Sequence, residues 1–156
     1  MIKIKIIAIG KDKDAWVAEG QAHYKKLLSR FAKVELQYLP ALKSVSSLSP
    51  DEIKKREAEL FNKNLHGDAY IALIDSGKQL DSKAFSRQLE KLILKSQGTL
   101  TFLIGGAYGL HDSLLSKADL KLSLSPLTFS HQLVRLVLFE QMYRAFTIIH
   151  NTDYHK

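Results

Sequence analysis

Strand-like and helix-like segments alternate along this chain from one end to the other, and that alternation leaves little choice of architecture. Ile2, Ile4 and Ile6 alternate with Lys3 and Lys5 before an apolar run from Ile6 to Ile9 that Gly10 ends, the pattern of a strand entering a buried sheet. Trp16, Tyr24, Leu27, Leu28 and Phe31 fall at roughly helical spacing, which predicts a helix over residues 13–31. Val34–Leu39 reads as a second strand, and the serine-rich stretch from Pro40 to Ser49 as a loop. Ser49-Pro50-Asp51-Glu52 is a helix start, with Ser49 as cap, Pro50 at the first helical position and Glu52 placed to close a capping box; this helix runs to about Asn64. Ala69–Ile74 reads as a third strand and Asp75–Lys78 as a turn. A helix from Ser82 to Ser96 stops before Gly98, Thr99–Ile104 is a fourth strand, and a short helix follows Asp112. Leu120–Leu124 is a fifth strand, and a helix from Ser130 to Ile149 closes the series. Helices interposed between strands predict an α/β fold, a mainly parallel sheet flanked by helices. No repeat, low-complexity segment or linker interrupts it, so residues 1–156 read as one domain.

A chain of this length buries a core without staples. It has no cysteine, which removes a disulfide scaffold, a thiolate metal site and a cysteine nucleophile, and suits a reducing compartment. The six histidines form no i, i+4 ligand pair, so no metal is expected. The formal charge of +7 draws the chain to polyanions. Nucleic acid fits that charge best, with an anionic membrane surface and a merely solvated basic surface as the other readings. The run Ile6–Ile9 is too short for the apolar core of a signal peptide, and no run approaches the roughly 20 residues that cross a bilayer. The expectation is a cytoplasmic protein with no membrane partner.

Several chemistries drop out. Gly10 alone follows the first strand, so the dinucleotide fingerprint is missing; Gly77-Lys78 lacks the earlier glycine of a P-loop; no esterase elbow is present. Two segments stand out instead. Thr99–Gly109, TLTFLIGGAYG, runs a buried strand into three glycines where parallel sheets collect ligands. It reads equally as a tight strand-to-helix turn. In Leu122–Phe129, LSLSPLTF, Pro126 stops strand and helix alike. The segment either cradles a flat heterocycle such as adenine or simply connects to a helix capped by Ser130. The last helix carries apolar residues on nearly every face, which predicts a partner subunit against it. Arg135 within that stretch needs a partner or a phosphate, and Glu140 and Arg144 are spaced to pair.

IGGAYGL, LSLSPLTFSHQLVRLVLFEQMYRAF, the terminal Tyr154-His155-Lys156 and the N-terminal IKIIAIGK together resemble the RlmH family over the whole chain. The resemblance implies a SPOUT-class fold with a C-terminal trefoil knot, which topology rules alone never propose. It implies a homodimer and S-adenosylmethionine as cofactor, held at Leu73, at Gly105 and along Leu124, Ser125, Pro126, Leu127, Thr128 and Phe129. It implies methylation of N3 of a pseudouridine in 23S ribosomal RNA, on the large subunit or the whole ribosome. That nitrogen carries a proton which must leave at or before attack, so a base, or donors that stabilise the anion, are needed. By resemblance these are Tyr154, His155 and Arg144. A frayed tail is the other reading of Tyr154 and His155. Two competing classes remain at this point: an RNA-binding protein without catalysis, and another nucleotide-using enzyme on a doubly wound sheet.

Overall fold

The computed structural model describes every residue from Met1 to Lys156. Strands β1 (Ile2–Ile9), β2 (Ala32–Leu39), β3 (Ala69–Gln79), β4 (Thr99–Ile104) and β5 (Leu120–Ser123) form one sheet in the order β2-β1-β4-β3-β5. Every neighbouring pair is parallel. Between the strands lie α1 (Ala15–Leu28), α2 (Pro50–Leu65), α3 (Ser82–Lys95) and the short α4 (Asp112–Leu115), and α5 (His131–Ile149) follows the last strand. The α/β reading of the sequence is therefore the observed architecture.

Period-two alternation sorts β1 between two cores. Ile4, Ile6 and Ala8 pack with Phe102 of β4 and with Leu28, Leu89, Leu138, Phe139 and Met142 of α1, α3 and α5. Ile7 and Ile9 point the other way, onto Ala58, Phe61 and Leu65 of α2 and Leu114 of α4. Three helices thus cover one face and two the other. The helix starts follow their capping residues: Ser49 accepts from the Glu52 amide at 3.2 Å, Asp81 from Ala84 at 2.7 Å and Ser130 from Leu133 at 3.3 Å. No helix is long and apolar enough to cross a membrane.

Three local expectations are corrected. Asp75–Lys78 is not a turn: β3 continues to Gln79, and Leu122 of β5 pairs with both Leu73 and Lys78. The residues between bulge out, and the strand then regains its partner. Gly77 permits this, since a Cβ there would stand 2.8 Å from the Leu122 backbone. The first helix ends at Leu28, so Phe31 lies in the turn and β2 starts earlier than expected, at Ala32. Leu124 falls beyond β5, in the segment that leads to α5.

Candidate active site

The carboxyl ends of β3, β4 and β5 open onto a cavity of about 410 Å³, within the range of about 300–1,000 Å³ usual for small-molecule sites. Leu73, Gly105, Leu124, Ser125, Leu127, Thr128 and Phe129 line it; Pro126 sits in the same segment but does not. The glycine loop turns tightly as well as facing the cavity, so the two readings of that loop are compatible. The Gly109 amide donates to the Gly106 carbonyl at 3.0 Å, and Gly109 has φ of 84°. A Cβ on Gly105 would stand 2.6 Å from the Gly109 carbonyl, so no other residue closes this turn without displacement. In the second segment Ser125 Oγ accepts from the Leu127 amide at 3.0 Å and bends the chain around Pro126. Tyr108 and Leu127 stand 55% and 71% exposed, so two large apolar side chains lie open where a ligand can cover them.

Tyr154, His155 and Arg144 come together at the other end of α5. Arg144 donates to Glu140 through Nη2 at 2.7 Å and through Nε at 3.1 Å, which is the expected i, i+4 pair. His155 Nδ1 lies 3.3 Å from Arg144 Nη1, and the Arg144 guanidinium stands 4.9 Å from the centre of the Tyr154 ring. The Tyr154 hydroxyl donates to Glu140 at 3.2 Å, and its ring meets Tyr143 edge-on at 4.7 Å. The tail is docked rather than frayed. Burial pushes the Tyr154 phenol up to about 12, helped by neighbouring Tyr24 and by the Glu140 carboxylate. None of these three residues lines the cavity. Val134, where α5 borders it, precedes Arg144 by ten residues, about 15 Å along a helix.

Arg135 finds a protein partner. It is 2% exposed, pairs with Asp12 at 2.8 Å, donates to the Ile9 carbonyl at 2.6 Å and stands 5.3 Å from the centre of the Tyr38 ring. Tyr38 in turn donates to Asp12, and burial with that carboxylate raises its phenol far above the usual range. The last helix is not buried all round within one chain: Leu133, Val137 and Ile148 are only partly buried along it.

Four charged residues of this region were missed. Lys54, Asp75 and Asp112 line the cavity, and Glu57 of α2 lies behind its glycine loop, 6% exposed. Glu57 did carry a signal, being an acid in the row Ile53, Glu57, Phe61 at helical spacing.

The family described as "Predicted SPOUT methyltransferase" matches residues 2–155. The chain belongs to the SPOUT methyltransferases, a class that uses S-adenosylmethionine. It is 43% identical over 161 residues to a protein of Ruminiclostridium cellulolyticum named ribosomal RNA large subunit methyltransferase H, covering 99% of this chain and 100% of the relative. Proteins of the same name in Desulforamulus reducens and Flavobacterium johnsoniae are 41% and 42% identical, with at least 99% of each chain covered. Within the SPOUT class the chain is a member of this methyltransferase H family, the RlmH family of the resemblance. A solved structure, titled "a probable methylase family protein" from Haemophilus influenzae Rd KW20, shares the fold with a TM-score of 0.52 at 13% identity, over 98% of this chain and 70% of its own.

The residues present fit the cofactor of that class. Leu73, Leu122, Leu124 and Phe129 give an apolar wall for a purine, and the carboxylates of Asp75 and Asp112 suit a sulfonium and an ammonium. Lys54 is a basic group for a carboxylate.

Proposed function

We propose that this protein methylates N3 of a pseudouridine in 23S ribosomal RNA, on the large subunit or assembled ribosome in the cytoplasm, as a homodimer with composite sites. The observation that carries the reading is the cavity at three adjacent strand ends, lined by Leu73, Gly105, Leu124, Ser125, Leu127, Thr128 and Phe129. The relatives' name, ribosomal RNA large subunit methyltransferase, and the charge of +7 support an RNA substrate. The C-terminal trefoil knot comes with the family.

S-adenosylmethionine supplies the electrophilic methyl group and a neutral thioether as leaving group. The chain's own work is positioning and proton handling. The glycine loop and the Ser125–Phe129 segment orient the cofactor, which contributes to rate by alignment. The acceptor imide must lose its proton. Arg144 is a fixed cation that stabilises charge on the oxygens flanking N3, and His155 is the group placed to take or relay the proton. Tyr154, with its raised pKa, is a hydrogen-bond donor or stacking surface rather than the base.

The distance between Arg144 and the cavity's border on α5 within one chain supports a shared site. So do the partly buried Leu133 and Val137 and the exposed Trp16, which leave apolar surface for a second copy. In that arrangement the tail of one protomer completes the cavity of its partner.

The test is transfer of labelled methyl from S-adenosylmethionine to ribosomes that lack the modification, followed by nucleoside mass spectrometry. A 3-methylpseudouridine dependent on the protein is expected. Methyl in another nucleoside, or none, contradicts the proposal.

A further inference from the structure

Glu57 is a buried acid for which the reaction as described has no use. It shares with Ile53, Ala58, Phe61 and Leu65 the face of α2 that packs on the sheet. One carboxylate oxygen, Oε1, is buried with no hydrogen-bond partner. Burial pushes its carboxyl up, and the facing Gly106 backbone amide offsets this in part. A carboxyl with an unpartnered oxygen is costly to bury, so packing alone gives no reason to keep an acid at this position.

The neighbour it meets is the cavity's own loop. A Cβ built on Gly106 would stand 2.6 Å from Glu57 Oε2 and 3.0 Å from Oε1. Gly106, unlike Gly109, has no positive φ to explain its identity. The atoms a side chain at Gly106 would meet first are those of the carboxylate, which would have to shift to admit it. Gly106 itself lines the cavity, next to Gly105.

We infer that Glu57 is a positioning residue for the cofactor, its carboxylate bracing the Gly105–Gly106 backbone from behind so that the cavity face of the loop stays at binding depth. The inference rests on the cavity being the cofactor site. Glu57→Leu removes the brace while keeping the volume. S-adenosylhomocysteine affinity, measured by calorimetry, should fall about ten- to a hundredfold, the loss expected for one charge-assisted contact. The melting temperature should hold or rise. Glu57→Gln keeps an acceptor oxygen toward Gly106 and should bind within about threefold of wild type. Affinity and melting temperature moving independently in Glu57→Leu, with rescue in Glu57→Gln, is what a purely structural role does not produce. Wild-type affinity in Glu57→Leu, or an equal loss in both variants, overturns the inference. If Glu57→Leu fails to fold, Gly106→Ala drives a methyl into the same carboxylate; weakened binding supports the brace, and wild-type binding overturns it. Failure of the wild-type protein to bind S-adenosylhomocysteine would instead sink the cofactor site itself.

Discussion

Tyr154 donates its phenolic proton to the Glu140 carboxylate across 3.2 Å, and this contact lays the end of the chain back along α5. The folded protein holds that proton more tightly than the unfolded chain does, with a pKa of about 12 against 10.0. Burial does most of this, with Tyr24 and the Glu140 carboxylate adding to it, so the stability linked to the neutral phenol is complete below pH 10 and is lost as the pH rises through about 12. Thermal melts of wild type and Tyr154→Phe at about pH 9 and about pH 11 should show a steeper loss in wild type. Parallel losses would place the tyrosine elsewhere in solution.

Gly105→Val puts a branched side chain where a Cβ alone stands 2.6 Å from the Gly109 backbone. The loop must shift, and S-adenosylhomocysteine should bind at least about tenfold more weakly by calorimetry. Unchanged affinity removes this loop from the cofactor site.

Asp12 neutralises Arg135 with both side chains nearly inaccessible, at 6% and 2%. Asp12→Ala leaves a buried cation unpaired and should cost about 3–5 kcal/mol in denaturant unfolding. A cost under about 1 kcal/mol would mean that the Ile9 carbonyl and the Tyr38 ring suffice for the guanidinium.

Val137 lies only partly buried on α5, on the apolar surface assigned to the second protomer. Val137→Glu places a charge in that surface and should turn a sedimenting dimer into a monomer at micromolar concentration, with methyl transfer lost. A wild-type protein that sediments as a monomer contradicts the dimer, and a Val137→Glu dimer contradicts this face.

Much of this was legible because it was written locally. The alternation of Ile2, Ile4 and Ile6 with lysines, the Ser49-Pro50 start and the glycines after β4 each act through neighbours in sequence, and each sits where its chemistry requires. The failures are non-local. Asp75-Ser76-Gly77-Lys78 has turn-forming residues throughout, yet β5 pairs with Lys78 and Gln79, so the strand resumes beyond a bulge instead of ending. Arg135 announced that it needed a partner, but nothing nearby named Asp12, 123 positions earlier. The residues lining the cavity could be placed at strand ends from the order of elements. Lys54 reaches it from α2 and Glu57 of the same helix backs its glycine loop, and α2 is an element whose packing side no strand-end rule supplies.

The central claim, that one protomer's tail completes its partner's cofactor cavity, is tested most directly by mixing two inactive proteins. One lacks Tyr154–Lys156 and should still fold and bind S-adenosylhomocysteine, since these residues add little to either core. The other carries Gly105→Val and keeps its tail. Each alone should transfer no methyl to ribosomes. After subunit exchange, a hybrid dimer holds one intact cavity facing one intact tail. The account predicts that methyl transfer returns in the mixture, toward about a quarter of the wild-type rate for random equimolar exchange with two independent sites per dimer. A mixture that stays inactive although the subunits have exchanged, or full activity in the truncated protein alone, would contradict it.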